Sequence, residues 1–327
     1  MLHALNSRQN EAENVPWLRL PGMCCKALGG DPHQADPVAA AWILFNKAAH
    51  IMDSVEDRDE LNSWSIESLP EVHTNLDGRA VAGSKNSSAT GATLASAISS
   101  ANSAAISAAT GLYFTANLIL HDLDARLADP AAAQQIRAEF LSRFLVMCSG
   151  QHLDLIQPNP TIEQYYKIAS AKSGEFFAVA CWAGGRLAAD QFEVLAGLRQ
   201  FGLQIGLIIQ MLDDLKDLRE LRIIPIANRA DRLLRSLPVI YVLDVLPVSE
   251  KDRLISLFTE PQLTSEHEFE IHELIEGKGG TLYLLAELEG SRQLAEEGLA
   301  QAGIKNPQTS PLLSLLNQLC SLDPNGD

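Results

Sequence analysis

Apolar positions along this chain recur at helical spacing, and polar or Pro/Gly breaks divide them into a series of helices. No stretch of any length alternates apolar and polar residues, so the expected fold is all-α: one large helical bundle around a central apolar cavity. Residues 1–16 are polar and read as a flexible N-terminal arm, leaving 17–327 as a single domain. WLRLPGMCCKAL then predicts a short helix, residues 29–37 a turn-rich break, and residues 38–61 a long helix. GSKNSSATG at 83–91 reads as a flexible link. Residues 93–127 are rich in Ala and Ser; the bland reading is a low-complexity linker, but alanine favours helix and small side chains permit close contacts. Residues 131–156 are amphipathic and stop at QPNP, after which Thr161, Glu163 and Gln164 open the helix that carries Tyr165 and Lys172–Ser173–Gly174. Beyond Leu218 the helical period continues, with breaks at Pro225, Pro247, Pro261 and Gly279–Gly280.

One apolar stretch, LRQFGLQIGLIIQMLDDLKDL at 198–218, ends against its own pattern. At offsets of three, four and seven, Gln210, Asp213, Asp214 and Asp217 lie on or beside the stripe that carries Leu203 and Gly206. Three carboxylates are thus aimed where an apolar helix points inward. Burying like charges costs several kcal/mol each unless a cation compensates them, and oxygen-only ligands favour a hard ion such as magnesium. The alternative is a helix end that surfaces, with Lys216 pairing locally. A second acidic stripe supports the metal: Asp53, Glu56 and Asp57 share a helical face, with Ser54 about 100° round from Asp53. Two acidic helix ends facing one another make a cage for magnesium, and magnesium held this way binds substrate phosphates; a diphosphate is the expected guest.

In order along the chain stand Asp53 to Asp57, then Gly150, Gln151 and Asp154, Tyr165, Lys172–Ser173–Gly174, Phe201, Gly202, Gly206, Gln210, Asp213, Asp214 and Asp217. In these residues the chain resembles the trans-isoprenyl diphosphate synthases, the polyprenyl synthetase family, over roughly residues 17–218. The resemblance implies a class I isoprenoid enzyme acting on an allylic prenyl diphosphate. It implies magnesium, three ions with the bound diphosphate, on Asp53, Asp57, Asp213, Asp214 and Asp217. Lys172 and Gln210 become the catalytic pair, binding substrate with Gln151, Asp154 and Arg19. A glycine within a helix costs ~1 kcal/mol relative to alanine, so a bend at Gly174 that delivers Lys172 toward the cavity is expected. In the family the chain resembles, side chains one turn before the first acidic motif limit chain length, so Ala48 and Ala49 there are expected to leave the pocket floor open for a C15 or C20 tail. The small-residue helix at 92–109 is expected to pack against its copy in a homodimer.

Departures from the family pattern bear on the second substrate. Where chain-elongating members hold isopentenyl diphosphate with Lys, His and two Arg, this chain has Pro16, Asn46, Asn62 and Ser63, and only Arg19 remains. Charge-assisted hydrogen bonds contribute ~1.5 to 3 kcal/mol each, so elongation loses several kcal/mol of binding. The first expectation is therefore ionisation of a long allylic diphosphate with the cation quenched without isopentenyl diphosphate, as in a class I terpene synthase. The alternative is a prenyltransferase using isopentenyl diphosphate or another acceptor. A third reading is a non-catalytic partner subunit, suggested by Ser54. The family's Gly-Lys element after the second acidic motif is missing, leaving Arg219, Arg222, Arg229, Arg232 or Arg235 to replace its lysine.

Composition narrows the partners. A net charge of −16 and a pI near 4.9 argue against nucleic acid and anionic membrane surfaces. The five cysteines have no zinc spacing and lie in apolar surroundings typical of buried thiols, which predicts a reducing cytoplasm. Neither a signal peptide nor a membrane span is expected.

Overall fold

The structure, a computed structural model, describes residues 16–56, 91–304 and 310–321. The arm at 1–15, the end of the first motif including Asp57, and the link at 83–90 lie outside the described residues. All regular elements among the described residues are helical, so the all-α expectation holds. The helices are α1 (Leu20–Ala27), α2 (Asp36–Glu56), α3 (Gly91–His121), the short α4 (Leu123–Arg126), α5 (Pro130–Ile156), α6 (Ile162–Ala169) and α7 (Glu175–Arg186). They continue with α8 (Phe192–Arg219), α9 (Ile226–Leu234), α10 (Leu237–Val245), α11 (Val248–Phe258), α12 (Ser265–Gly277), α13 (Gly280–Gln301) and α14 (Pro311–Cys320). The chain groups into two compact units, residues 44–115 and the remainder.

In the larger unit α8 is the core element, apolar on nearly all sides; Leu198, Phe201, Ile205, Ile208, Met211 and Leu215 are all buried. It packs along α7 and α13. Backbone contact with α13 requires glycine on both sides: a Cβ at Gly197 would lie 2.5 Å from the Gly298 carbonyl oxygen, and one at Gly298 would lie 2.6 Å from that of Gly197. Trp42 ties the start of α2 to α7, donating its indole N–H to the Phe176 carbonyl at 2.9 Å and stacking on the Phe176 ring. Helices α9 to α12 close over a cluster that includes Leu233, Val242, Leu257, Phe258 and Ile271 together with Leu218 at the end of α8.

Local signals set several boundaries as expected. Thr161 and Gln164 form a reciprocal capping box at the start of α6, and the Asp129 carboxylate accepts from Ala131 N–H to open α5. The smaller unit has its own small core, in which Ala48, Ile51 and Ala109 are buried against Ala105, Leu112 and Tyr113. The Phe45 and Tyr113 rings meet at 5.7 Å.

One expectation needs correction. Cys24, Cys25 and Cys181 are buried, but Cys148 is exposed and Cys320 partly so. Cys148 follows Leu141 and Leu145 at helical spacing on the outward stripe of α5, which the apolar sequence around it had disguised as core. Two helical stretches, Asn102–Arg126 and Phe192–Arg219, are also long and apolar enough to cross a membrane. The second is α8, whose most apolar window is 61% buried within the protein. A core helix meets that criterion by composition alone.

Candidate functional site

The candidate site is organised where α8 meets the junction of α6 and α7. Between those helices the backbone widens into a π-helical turn, Ser170–Gly174, where the sequence predicted a bend. The turn is seated by α8: a Cβ on Gly206 would come within 2.4 Å of the Ser173 carbonyl oxygen, so only glycine lets the two backbones touch. The Lys172 side chain projects from this turn, and its Nζ donates to Asp154 Oδ2 at 2.7 Å. Asp154, read from sequence as part of a polar pair on α5, thus holds the lysine, and both side chains are about four-fifths buried. Gln151 is half-buried on the same helix.

Gln210 bridges the turn to the second acidic motif. Its Oε1 accepts from Ser173 Oγ at 3.1 Å and its Nε2 donates to Asp214 Oδ1 at 3.3 Å. Asp214 is the hub of this network and only 6% exposed. Its Oδ2 accepts from Tyr165 Oη at 2.7 Å and from the Leu237 backbone N–H at 2.9 Å. Leu237 is the first residue of α10, and the Ser236 side chain before it makes no cap. The carboxylate therefore supplies from α8 the acceptor that a local N-cap would otherwise provide. Burial pushes the Asp214 carboxyl up to about 7 against those three hydrogen bonds, and Tyr165, buried beside it, is pushed well above its ordinary range by desolvation and by the carboxylate.

Asp214 is therefore held by its partners: turning Oδ2 away from Tyr165 and Leu237 would orphan two buried donors. Asp213 and Asp217 sit differently. Asp213 is partly exposed, yet desolvation lifts its carboxyl to about 6. Asp217 accepts two hydrogen bonds from Arg232 on α9, Nε to Oδ2 at 3.0 Å and Nη2 to Oδ1 at 2.6 Å.

The arginines considered from sequence are thereby separated. Arg222 donates to Ser265 and Glu268, Arg229 is buried and donates to the Glu260 carbonyl, and Arg235 pairs with Asp231. Arg219 is exposed, and among the five Arg232 is the one bonded to the acidic motif. Sequence reasoning named it without choosing it, because its link to Asp217 crosses a turn between two helices.

Among the described residues no group of three His, Cys, Asp or Glu side chains is gathered to hold a metal by itself. Magnesium, however, is held through one or two carboxylates and keeps waters and substrate phosphates as its other ligands. Asp213 and Asp217 stand one helical turn apart at partly exposed positions, while Asp214 is buried. In the smaller unit Asp53 is half-buried on α2. Ala49 is half-buried, while Ala48 is sealed by Ala109 and its neighbours, so the open floor expected at Ala48 is filled from α3. Arg19 is exposed, and Asn46, standing where the family pattern has histidine, is buried.

Several known proteins share this arrangement of helices. A geranylgeranyl pyrophosphate synthetase from Pyrococcus horikoshii superposes with a TM-score of 0.72 at 20% identity, covering 98% of this chain and 89% of that one. The corresponding enzyme from Geoglobus acetivorans gives 0.72 at 18%, covering 97% and 90%. A geranylgeranyl pyrophosphate synthase from Corynebacterium glutamicum, solved with calcium and isoprenyl diphosphate, gives 0.65 at 20%, covering 97% and 87%. At these identities the likeness is one of fold. In sequence, a geranylgeranyl diphosphate synthase of Mycobacterium tuberculosis is 25% identical over 197 residues, 58% of this chain; the match spans 46% of that relative's length. A model of the polyprenyl synthetase family matches residues 92–259, just over half of the chain. That span carries Asp154, Tyr165, Lys172, Gln210 and the second acidic motif, so the residues that build the site are also those in which the chain belongs to the polyprenyl synthetase family.

Proposed function

We propose that the protein is a prenyltransferase that condenses an allylic prenyl diphosphate with isopentenyl diphosphate. The observation that carries this reading is the family match over the span holding Lys172, Gln210 and Asp213–Asp217. It favours condensation over the isopentenyl-independent quench that the missing basic residues place first in the sequence. A non-catalytic subunit accounts poorly for the retained set, since it has no chemical need for Lys172 or for two partly exposed aspartates on α8.

The chain's own residues divide the work. Lys172, presented by the π-turn, donates to oxygens of the departing diphosphate, and Asp154 orients it beforehand. Gln210 positions the turn against Asp214, and Asp214 with Tyr165 holds the end of α8 to the start of α10. Asp213 and Asp217 would hold magnesium, which when bound neutralises the charge that develops on the leaving group.

The test is incubation with magnesium and C10, C15 or C20 allylic diphosphates, with and without isopentenyl diphosphate, followed by product identification. Prenyl diphosphates longer by five carbons are expected only when isopentenyl diphosphate is present. Diphosphate release at the same rate without it would instead support the quench, which the buried Asn46 in place of a cationic partner favours.

A homodimer is part of the same proposal. Helix α3 carries Ile106, Phe114 and Leu118 at 42%, 68% and 67% exposure, and a second copy of this helix is the partner that would cover them. Light scattering at micromolar concentration is expected to give twice the chain mass. A monomeric mass counts against it.

A further inference from the structure

The second acidic motif is already met by a cation from the next helix, Arg232 of α9. Arg232 grips Asp217 with a two-pronged bond, Nε to Oδ2 at 3.0 Å and Nη2 to Oδ1 at 2.6 Å, and this occupies both carboxylate oxygens that a metal would need. Asp214, between the two candidate ligands, is committed to Tyr165 and to the start of α10. The Asp217 and Arg232 side chains are 19% and 36% exposed, so the pair borders solvent and is held only weakly against it. A guanidinium fork suited to a carboxylate is equally suited to a phosphate, which offers it more charge. At Lys172 the same pairing recurs, a cation expected to meet diphosphate being held by Asp154.

We propose that Arg232 is an exchangeable counter-ion: it holds Asp217 before ligand arrives and passes to a diphosphate oxygen when a divalent cation takes the carboxylate. Resting on the diphosphate-binding reading above, the exchange makes metal and diphosphate binding mutually dependent. Metal alone must displace Arg232 from Asp217 without giving it a new partner, and diphosphate alone must compete with Asp217 for the arginine. When both bind together, each charge keeps a partner. The aspartates of the motif then differ in function, with Asp217 available to metal only in the company of an anion.

The experiment uses the purified full chain with Mn2+, followed by its spin resonance, and inorganic pyrophosphate, followed by calorimetry. In Arg232→Gln, Mn2+ without pyrophosphate is expected to bind about five- to tenfold more tightly than in the unmodified protein, since Asp217 is released. Pyrophosphate in the presence of Mn2+ is expected to bind at least about tenfold more weakly, ~1.4 kcal/mol. Arg232→Lys, which keeps the charge and loses the fork, is expected to lie between the two and serves if the glutamine variant does not fold. Unchanged Mn2+ affinity in these variants, with pyrophosphate binding weakened, would make Arg232 a plain anion ligand and overturn the exchange. Failure of the unmodified protein to bind pyrophosphate at all overturns the diphosphate reading and the anion half of the exchange with it. Asp217→Asn gives the reciprocal check: pyrophosphate without metal should bind more tightly than in the unmodified protein, and equal or weaker binding counts against the exchange.

Discussion

Asp213→Ala is expected to lower prenyl transfer by about a thousandfold or more, ~4 kcal/mol in the barrier, with the helical content and melting temperature nearly unchanged. Asp213 is partly exposed on α8, one helical turn from Asp217, and desolvation already lifts its carboxyl to about 6. Such a group stabilises the folded chain little as an isolated anion. Beside a divalent cation its negative charge is compensated, and the charge building on the departing diphosphate is compensated with it. The measurement is turnover at saturating magnesium and allylic substrate, paired with circular dichroism. A variant within tenfold of the starting rate would remove Asp213 from the site.

The neighbouring substitution is expected to do the reverse. Asp214→Ala should cost about 3 to 5 kcal/mol of folding stability, because it strands the buried Tyr165 hydroxyl and the Leu237 N–H together. The loss falls on the junction of α6, α8 and α10, so activity declines as a consequence of unfolding. Asp214→Asn, which keeps one acceptor oxygen, should recover part of the stability. Urea unfolding of both variants reads this directly, and a midpoint for Asp214→Ala equal to that of the unmodified protein would show that the carboxylate does not hold the start of α10. Two adjacent aspartates of one motif thus separate by readout, one in turnover and the other in unfolding.

A family of enzymes that pairs metal with diphosphate must keep acidic helix ends stable before either ligand arrives. Here the larger unit does so with internal partners for the second motif and for Lys172: Arg232 for Asp217, Asp154 for Lys172, and Tyr165 with Leu237 for Asp214. Each is a charge-assisted hydrogen bond in surroundings where an uncompensated charge would be costly.

The all-α class, the helix boundaries near Thr161 and Pro130, a break in helical regularity at Lys172–Gly174 and the grouping of Gln210, Asp213, Asp214 and Asp217 were legible in the chain itself. All of these depend on interactions within a few residues, namely helical periodicity, caps and the close approach that glycine permits, and their spacing is written in one dimension. Spacing could not tell Asp213 from Asp214, although they are adjacent, because a step of about 100° turns one toward the core and leaves the other partly exposed. Nor could it choose Arg232 among five arginines, assign Asp154 to Lys172 across 18 residues, or find that Ala48 is covered from α3. Cys148 was misread for the same reason, its apolar neighbours facing outward on α5. Local spacing sets which residue types reach each helical face; which of those faces meet is set by packing, because burial and pairing depend on the helix packed opposite.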